Sequence, residues 1–298
     1  MPVVASTAVT RSAFEVDPAR LLKERRASID ALYERIEALG PAVDPSEVAG
    51  LLAEGLAEPS LAFLSSLEGG QQRLIDQSVV EYGRFVPSVA SNAATAAGLV
   101  RILLLQNVDL VWWDHDDDLL ADADAVNAPD YLDLVAERRH GSVRFSFGVA
   151  SDGIVRRGRD FLVQRLFPGH EPRGPGLSFT CIRPAMLGVL NEVADQVGQL
   201  APRGTPPIRV NSIVRSVEHQ RRLRALGFSA LLPSAHCRGW AADIEVTWFE
   251  RFAADDVLRD VLLDYLDRGV LNVIDEGRAW HICLAPDFVD HYAARAGR

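Results

Sequence analysis

Residues 271–285, LNVIDEGRAWHICLA, form two apolar segments on either side of the Gly-Arg pair at 277–278. Glycine at the first position suits a two-residue hairpin turn, and such a turn places Ile274 opposite His281. Because side chains alternate along a strand, Glu276 and His281 then lie on one face as diagonal neighbours. The stretch predicts an antiparallel hairpin with a carboxylate and an imidazole on the same side.

The rest of the second half alternates between helical and strand patterns. Helices are predicted where apolar residues recur with a period near 3.6, and strands where they alternate. The predicted helices are RPAMLGVLNEVADQVGQL, SVEHQRRLRALGF, with Ser216 as N-cap and Gly227 as stop, and ADDVLRDVLLDYLDRG; the other strands are PPIRVNSIV and WAADIEVTW. Helices on a small, mostly antiparallel sheet make an α+β domain.

The first half is predicted to be mainly helical. DPARLLKERRASIDALYERIEAL and DPSEVAGLLAEGLAE both open with Asp-Pro, and the first ends at Gly40-Pro41. A further helix is expected over about residues 91–105. The acidic run at 114–118 lacks the ligand spacing and glycine turn of a calcium loop, which favours a solvated turn or a helix start. An Arg-, Gly- and Pro-rich stretch around 156–176 indicates a connection, so we expect units at 1–160 and 161–298.

Composition limits the class of protein. With 48% hydrophobic and 24% charged residues the chain is typical of soluble globular proteins, and a net charge of −10 argues against nucleic-acid binding. Polar residues interrupt the most apolar window, residues 93–113, so no membrane span is expected. Three cysteines, Cys181, Cys237 and Cys283, form no disulfide framework. Without a signal-peptide pattern at residues 1–20, the chain is expected to be cytoplasmic.

A candidate metal motif precedes the hairpin. Residues 234–243, SAHCRGWAAD, place His236 and Asp243 seven positions apart around a glycine. Zinc binds His nitrogens and carboxylate oxygens, and catalytic sites use three protein ligands so that a fourth position stays open. His281 is the candidate third ligand. A histidine near a turn is more often a structural residue with a hydrogen bond, and on spacing alone that interpretation stays open.

Together these residues resemble a known family. The pattern Ser-x-His-x-x-Gly-x-Ala-x-Asp at 234–243, followed by a Glu and a WHI histidine, resembles the D-alanyl-D-alanine metallopeptidases of the Hedgehog/DD-peptidase fold. VNSIVRSVEHQRRL looks like the same family's Ser-x-x-Arg followed by a Gln. FTCIRPAMLGVL and LNVIDEGRAWHICL resemble a bacterial branch of that group. The resemblance covers about residues 177–285 and leaves the N-terminal half unexplained.

The resemblance implies a site, residue by residue. It implies that His236, Asp243 and His281 are zinc ligands and that Glu276 is the general base. The substrate-binding residues that it implies are Arg215, Ser212 and Gln220. The sequence departs from the best-known peptidases, whose glutamate lies three residues before the last histidine, where this chain has Arg278. Glu276 lies five residues before it. Without the resemblance, Arg215 is predicted to be a surface arginine that forms an ion pair with Glu218 across a helix start.

The resemblance implies a zinc-dependent hydrolase of a small peptide or amide, related to D,D-dipeptidases and carboxypeptidases. Two alternatives remain open, because two histidines and a carboxylate also describe non-haem Fe(II) enzymes. The first alternative is an iron-dependent or other metal-dependent tailoring enzyme of a biosynthetic pathway, and the second is a binding module that the metal only stabilises. The N-terminal half has three candidate roles: covering the cleft, forming a homodimer, or binding a partner protein.

Overall fold

The computed structural model describes residues 17–41, 43–87, 92–114, 119–127, 129–150, 176–225 and 230–296. Several sequence predictions lie outside these residues: the boundary near 160, almost all of the connection at 156–176, the acidic positions 115–118 and the helix stop at Gly227.

Helices dominate the N-terminal part. They are α1 (Pro18–Glu37), α2 (Pro45–Leu56), α3 (Gly70–Gly83) and α4 (Ala96–Trp112), with a 3-10 turn at Ala62–Ser66. The two Asp-Pro signals are confirmed. Asp17 accepts a hydrogen bond from the backbone of Ala19, and Asp44 accepts one from Ser46, while each proline fills the first helical position.

Helix α4 differs from its predicted bounds. It begins at Ala96, where the Thr95 hydroxyl caps the backbone N–H of Gly98, and it continues to Trp112 instead of ending near residue 105. The apolar side chains between 99 and 110 are buried, so the helix continues through the polar residues that interrupt its pattern. Residues 111 and 112 are the last of the helix, and Asp114 lies in an exposed turn, as the sequence predicts for the start of the acidic run.

Short elements follow α4. They are α5 (Asp122–Asn127), β1 (Leu132–Asp133), α6 (Leu134–His140), β2 (Ser146–Phe147) and β3 (Cys181–Ile182). Strands β1 and β3 pair antiparallel as a two-stranded sheet.

The C-terminal part contains most of the main sheet. Its elements are α7 (Pro184–Leu200), β4 (Arg209–Ser212), α8 (Val217–Ala225), a 3-10 turn (Ala235–Arg238), β5 (Ala241–Glu245), α9 (Thr247–Glu250), α10 (Asp255–Asp267), β6 (Leu271–Asp275), β7 (Ala279–Leu284), a second 3-10 turn (Pro286–Phe288) and α11 (Val289–Ala293). Ser216 caps α8 as predicted, since its hydroxyl accepts from the backbone of His219 at 2.9 Å.

The main sheet has five strands in the order β2-β4-β5-β7-β6. The β2–β4 pair is parallel and the other pairs are antiparallel. The predicted α+β class with a mostly antiparallel sheet is confirmed. The predicted hairpin is also confirmed: Ile274 lies opposite His281, the N–H of Glu276 donates to Ala279 O, and Gly277 has a φ of 72°.

The sheet lies between two helical layers. Val273 of β6 packs in the core that contains α7 and α10, whereas the next residue, Ile274, packs among the N-terminal helices. Neighbouring strand residues point to opposite faces, so the face that carries Ile274 and His281 is covered by α4. Among the described residues, no helix is long and apolar enough to cross a membrane. The three cysteines are free thiols.

Candidate metal centre

The turn that carries His236 is fixed at both ends. At its start, the Ser234 hydroxyl accepts a hydrogen bond from the backbone N–H of His236. At its end, Gly239 has a φ of 73°, a conformation that side chains disfavour. A Cβ atom on Gly239 would lie 2.6 Å from the ring of Tyr131. The serine and glycine of the SAHCRG motif therefore shape the turn that orients the histidine.

The other two candidate ligands lie directly opposite each other. Asp243 of β5 pairs with His281 of β7 in an antiparallel ladder, so both side chains extend from the same face of the sheet. Ser212 of β4 pairs with Asp243 from the other side. Strand pairing thus joins residues that lie far apart in the sequence.

Three atoms converge at one point. The His236 Nε2 atom is 3.1 Å from Asp243 Oδ1 and 3.2 Å from His281 Nδ1, and the third edge, between His281 Nδ1 and Asp243 Oδ1, is 3.2 Å. Ligands that bind zinc tetrahedrally at its usual bond lengths are about 3.3 Å apart. These three buried residues could hold a metal ion.

In each histidine ring, one nitrogen points away from the trio and the other points into it. The partner of the outer nitrogen decides whether the inner nitrogen has a free lone pair. His236 Nδ1 is 2.7 Å from the carbonyl oxygen of Ile213, which can only accept, so this nitrogen carries a proton. His281 Nε2 donates in the same way to the carboxylate of Asp109 at 2.9 Å. In the neutral rings, the inner nitrogens then present lone pairs towards a carboxylate oxygen. Three acceptors that face one another need either a proton or a metal ion between them, so this arrangement suits a metal site.

A guanidinium orients the carboxylate ligand. While Asp243 Oδ1 faces the histidines, its Oδ2 accepts a hydrogen bond from Arg215, and the Nε of Arg215 donates to Ser212 Oγ at 2.7 Å. Burial disfavours the charged form of Asp243, but the neighbouring His236 and Arg215 outweigh it and bring the pKa of this carboxyl well below its usual range. Asp243 is therefore a ready anionic ligand.

The two histidines differ in basicity. Burial, followed by the charge of Arg215, lowers the pKa of His236 to about 4. Burial also disfavours the charged form of His281, but hydrogen bonds to Asp109 and Asp243 outweigh it and raise the pKa of His281 to about 10. Without a metal, the positive charge among the ligands is on His281.

Glu276 lies beside the three ligands and contacts two amides. Its Oε1 accepts from the Nε2 of Gln106 at 2.7 Å, and its Oε2 accepts from the Nδ2 of Asn92 at 2.8 Å. Burial, reinforced by the negative charge of Asp243, raises the pKa of Glu276 to about 7. A carboxyl group with this pKa can both accept and donate a proton near neutral pH.

The structure brings most of the predicted site residues together. His236, Asp243 and His281 form the trio, with Arg215 and Ser212 bonded behind Asp243. Gln220 differs: it is buried and donates to the carbonyl of Leu231 at 2.7 Å. Within the described part of the chain it has no hydrogen bond to the trio, and its role in substrate binding stays a prediction.

Sequence reasoning missed the residues that α4 and its flank contribute. Asp109 binds His281, Gln106 and Asn92 bind Glu276, and Asn272 of β6 donates to Asp109 at 2.7 Å. A signal was present, because polar residues inside the most apolar helix of the chain need buried partners. That signal was used only to exclude a membrane span.

A cavity of about 650 Å³ lies next to Glu276. Its walls come from α1, from the residues before and within the start of α4, and from the turn of the β6–β7 hairpin. They include Tyr33, Asn92, Arg101 and Arg278. Glu276 thus borders this cavity and also interacts electrostatically with Asp243 and His281.

Comparisons of the chain with family models, with curated proteins and with solved structures gave no match.

Proposed function

We propose that this chain is a metal-dependent hydrolase that cleaves an amide bond in a small peptide or peptide-like substrate. The observation that carries the proposal is the convergence of three ligand atoms beside a buried carboxyl group, Glu276, whose pKa is about 7. The resemblance of the site motif to D-alanyl-D-alanine metallopeptidases supports it, as does the mostly antiparallel sheet. We also propose that the C-terminal part has the Hedgehog/DD-peptidase fold.

Zinc is the metal that we propose. Two imidazole nitrogens and one carboxylate oxygen suit it, and three protein ligands leave one position for water or substrate. The same ligand set occurs in non-haem iron enzymes, so the metal has to be measured. When bound in such a site, zinc supplies an activated water and polarises the carbonyl that is attacked.

Glu276 acts as the general base in this proposal. Its carboxylate removes a proton from the attacking water and later donates that proton to the leaving amine, which its pKa near 7 allows at neutral pH. The amides of Gln106 and Asn92 orient both oxygens of the carboxylate without neutralising its charge.

Gln106 holds Glu276 through one end of its amide. Its Nε2 binds Glu276, while its Oε1 is buried and has no hydrogen-bond partner among the described residues. Arg215 is bonded to Asp243 and has the role of orienting this ligand. Its contact with a substrate carboxylate remains a prediction.

The first test is the metal content of freshly purified protein, compared with His236→Ala and Asp243→Ala. We expect about one zinc per chain in the wild type and its loss in both variants, with the fold preserved by circular dichroism. Iron would redirect the search to oxygen-dependent chemistry. A wild type without metal would overturn the proposal.

The second test is hydrolysis of a panel of D- and L-dipeptides by wild type and Glu276→Gln. The variant should retain zinc and lose about 10²-fold or more of the hydrolysis rate, the usual contribution of a general base. Glu81→Gln is the matched control, because Glu81 is also buried but pairs with Arg224 away from the site. If Glu276→Gln is as active as the control, the metal is structural or another group is the base.

A further inference from the structure

Helix α4 presents two polar side chains to the metal centre. Gln106 and Asp109 are three positions apart, which places them on one face of a helix. Gln106 contacts Glu276, and Asp109 contacts His281. Helix α4 of the N-terminal region therefore contacts both functional residues of the hairpin, the candidate ligand His281 and the candidate base Glu276.

The burial of Asp109 requires an explanation. This carboxylate is 1% exposed within a helix that is otherwise almost wholly apolar on its buried side. Transferring a carboxylate from water to such a place costs several kcal/mol unless partners compensate it. Its partners are specific: Oδ2 accepts from His281 Nε2 at 2.9 Å, and Oδ1 accepts from Asn272 Nδ2 at 2.7 Å.

Asn272 links this carboxylate to a second helix. Its amide nitrogen also donates to the carbonyl of Leu105, and its amide oxygen accepts from Arg26 of α1 at 2.5 Å. Since one amide donates to α4 and accepts from α1, its orientation is fixed. A chain of hydrogen bonds thus runs from α1 through β6 and α4 to the ligand on β7, and each link fixes the position of the next.

We propose that Asp109 is a positioning residue that sets the metal affinity of the centre by fixing the ring orientation and tautomer of His281. The inference rests on the proposed metal centre. A carboxylate that accepts the outer N–H of a metal-bound imidazole leaves the inner nitrogen as the ligand and makes it more basic. The N-terminal helices therefore complete the metal centre, a role distinct from covering a cleft or forming a dimer.

His236 provides an internal contrast for this role. Its outer nitrogen donates to the backbone carbonyl of Ile213, which fixes the tautomer without adding a charge. The two ligands must then bind through different nitrogens, His236 through Nε2 and His281 through Nδ1, because in each ring the other nitrogen carries the proton.

The first experiment measures zinc affinity by competition with a chromophoric chelator for wild type, Asp109→Asn and Asn107→Ala. Partners of metal-bound histidines typically contribute 10- to 100-fold to affinity, so Asp109→Asn should bind zinc about 10- to 100-fold more weakly. Asn107→Ala is the control: Asn107 is also a buried polar residue of α4, but it donates only to Leu103 O within the described contacts. Its zinc affinity should stay within about 3-fold of the wild type.

Equal zinc affinities for Asp109→Asn and wild type would overturn the inference and leave the proposed hydrolase intact. A wild type that binds no divalent cation would overturn both. Loss of affinity in Asn107→Ala as large as that in Asp109→Asn would also overturn the inference, since it would show a general effect of disturbing α4.

A second measurement needs no variant and stays valid if Asp109→Asn does not fold. In zinc-loaded wild type with ¹⁵N-labelled histidine, long-range ¹H–¹⁵N spectra should show His281 protonated on Nε2 and bound through Nδ1. His236 should show the opposite arrangement. Binding of His281 through Nε2 would overturn the inference, because that nitrogen could then not donate to Asp109.

Discussion

The two histidines of the proposed metal centre are hydrogen-bonded to different parts of the molecule. His236 lies in a turn next to the sheet and donates to a neutral backbone carbonyl, that of Ile213. His281 lies on a strand but donates to a carboxylate, Asp109, that comes from the helix on the other side of the centre. Burial and the charge of Arg215 lower the pKa of His236 to about 4, whereas the hydrogen bonds of His281 to Asp109 and Asp243 outweigh its burial and raise its pKa to about 10.

This difference separates two tasks. The sheet side supplies the candidate ligands, whose positions depend on a turn and on strand pairing. The helix side supplies hydrogen-bond partners that the strands do not, Asp109 for His281 and Gln106 for Glu276. Metal sites depend on such partners as well as on the ligands themselves. Breaking each side should therefore have different consequences.

The largest expected difference is in the stability of the metal-free protein. His281→Ala leaves the Asp109 carboxylate buried without its cationic partner, and breaking such a pair costs about 3–5 kcal/mol. His236→Ala leaves the Ile213 carbonyl unsatisfied, which costs about 1–3 kcal/mol. Urea unfolding with a chelator present should rank His281→Ala as the less stable variant.

His140→Ala is a suitable control for that ranking, because His140 is exposed on α6 and its change should alter the free energy of unfolding by less than about 0.5 kcal/mol. Equal destabilisation by His236→Ala and His281→Ala would contradict the assigned difference between the two partners.

A second prediction concerns Glu276, which the helix side contacts only through neutral amides. Its folded-state pKa of about 7 lies above the ordinary value of 4.5, so the folded state binds this proton more tightly than the unfolded state. The resulting stability is present below about pH 4.5 and is lost as the pH rises through 7. Wild type should therefore lose up to about 3 kcal/mol relative to Glu276→Gln between low pH and pH 8.

Unfolding by urea across this pH range, with a chelator present, measures the difference. Subtracting the two curves removes the contributions of the histidines to first order. A difference that does not change with pH would show that Glu276 is solvated or charged throughout, and its role as a base with a pKa matched to neutral pH would lose its support.

Zinc binding should release a proton from His281, the histidine that the helix side contacts through Asp109. In the metal-free protein at pH 8, the pKa of about 10 keeps His281 protonated, whereas that of about 4 leaves His236 neutral. Binding must displace the proton on His281 Nδ1. Calorimetry in buffers with different protonation enthalpies should then show about one proton released, and the zinc affinity should rise about tenfold per pH unit. If no proton is released, His281 is not the residue that carries the positive charge in the metal-free site.

The resemblance of the site motif implies the three candidate ligands, whereas a local rule predicts the register of the hairpin. A glycine suited to a two-residue turn places Ile274 opposite His281, as the structure confirms. Asp109 could not be assigned in this way. It is 172 residues from His281, and no local pattern states which strand a polar residue on a buried helix will contact.

Arg215 illustrates the same limit. The sequence placed it near the site, but its contact with Asp243 Oδ2 depends on the pairing of β4 with β5. The end of α4 was also mispredicted, because the helix is stabilised by burial against the sheet and not by its own pattern alone. Local signals predicted most of the elements, the family resemblance implied the candidate ligands, and tertiary packing decided the hydrogen-bond partners of those residues.

The smallest expected effect is a difference in stability between alanine variants of two glycines, one in the turn that carries His236 and one in the β6–β7 hairpin turn. Gly239 and Gly277 have nearly equal φ values, 73° and 72°, so alanine should cost about 1 kcal/mol at each through backbone strain. A Cβ atom on Gly277 would contact nothing within 4 Å, whereas one on Gly239 would lie 2.6 Å from Tyr131. The hydroxyl group of Tyr131 donates a hydrogen bond to the carbonyl of Arg238. The ring therefore cannot move without losing this hydrogen bond to the turn that carries His236. Gly239→Ala should therefore be destabilised by about 1 kcal/mol more than Gly277→Ala and should bind zinc more weakly. Equal effects would mean that Tyr131 adapts freely and that the turn is fixed by its caps alone.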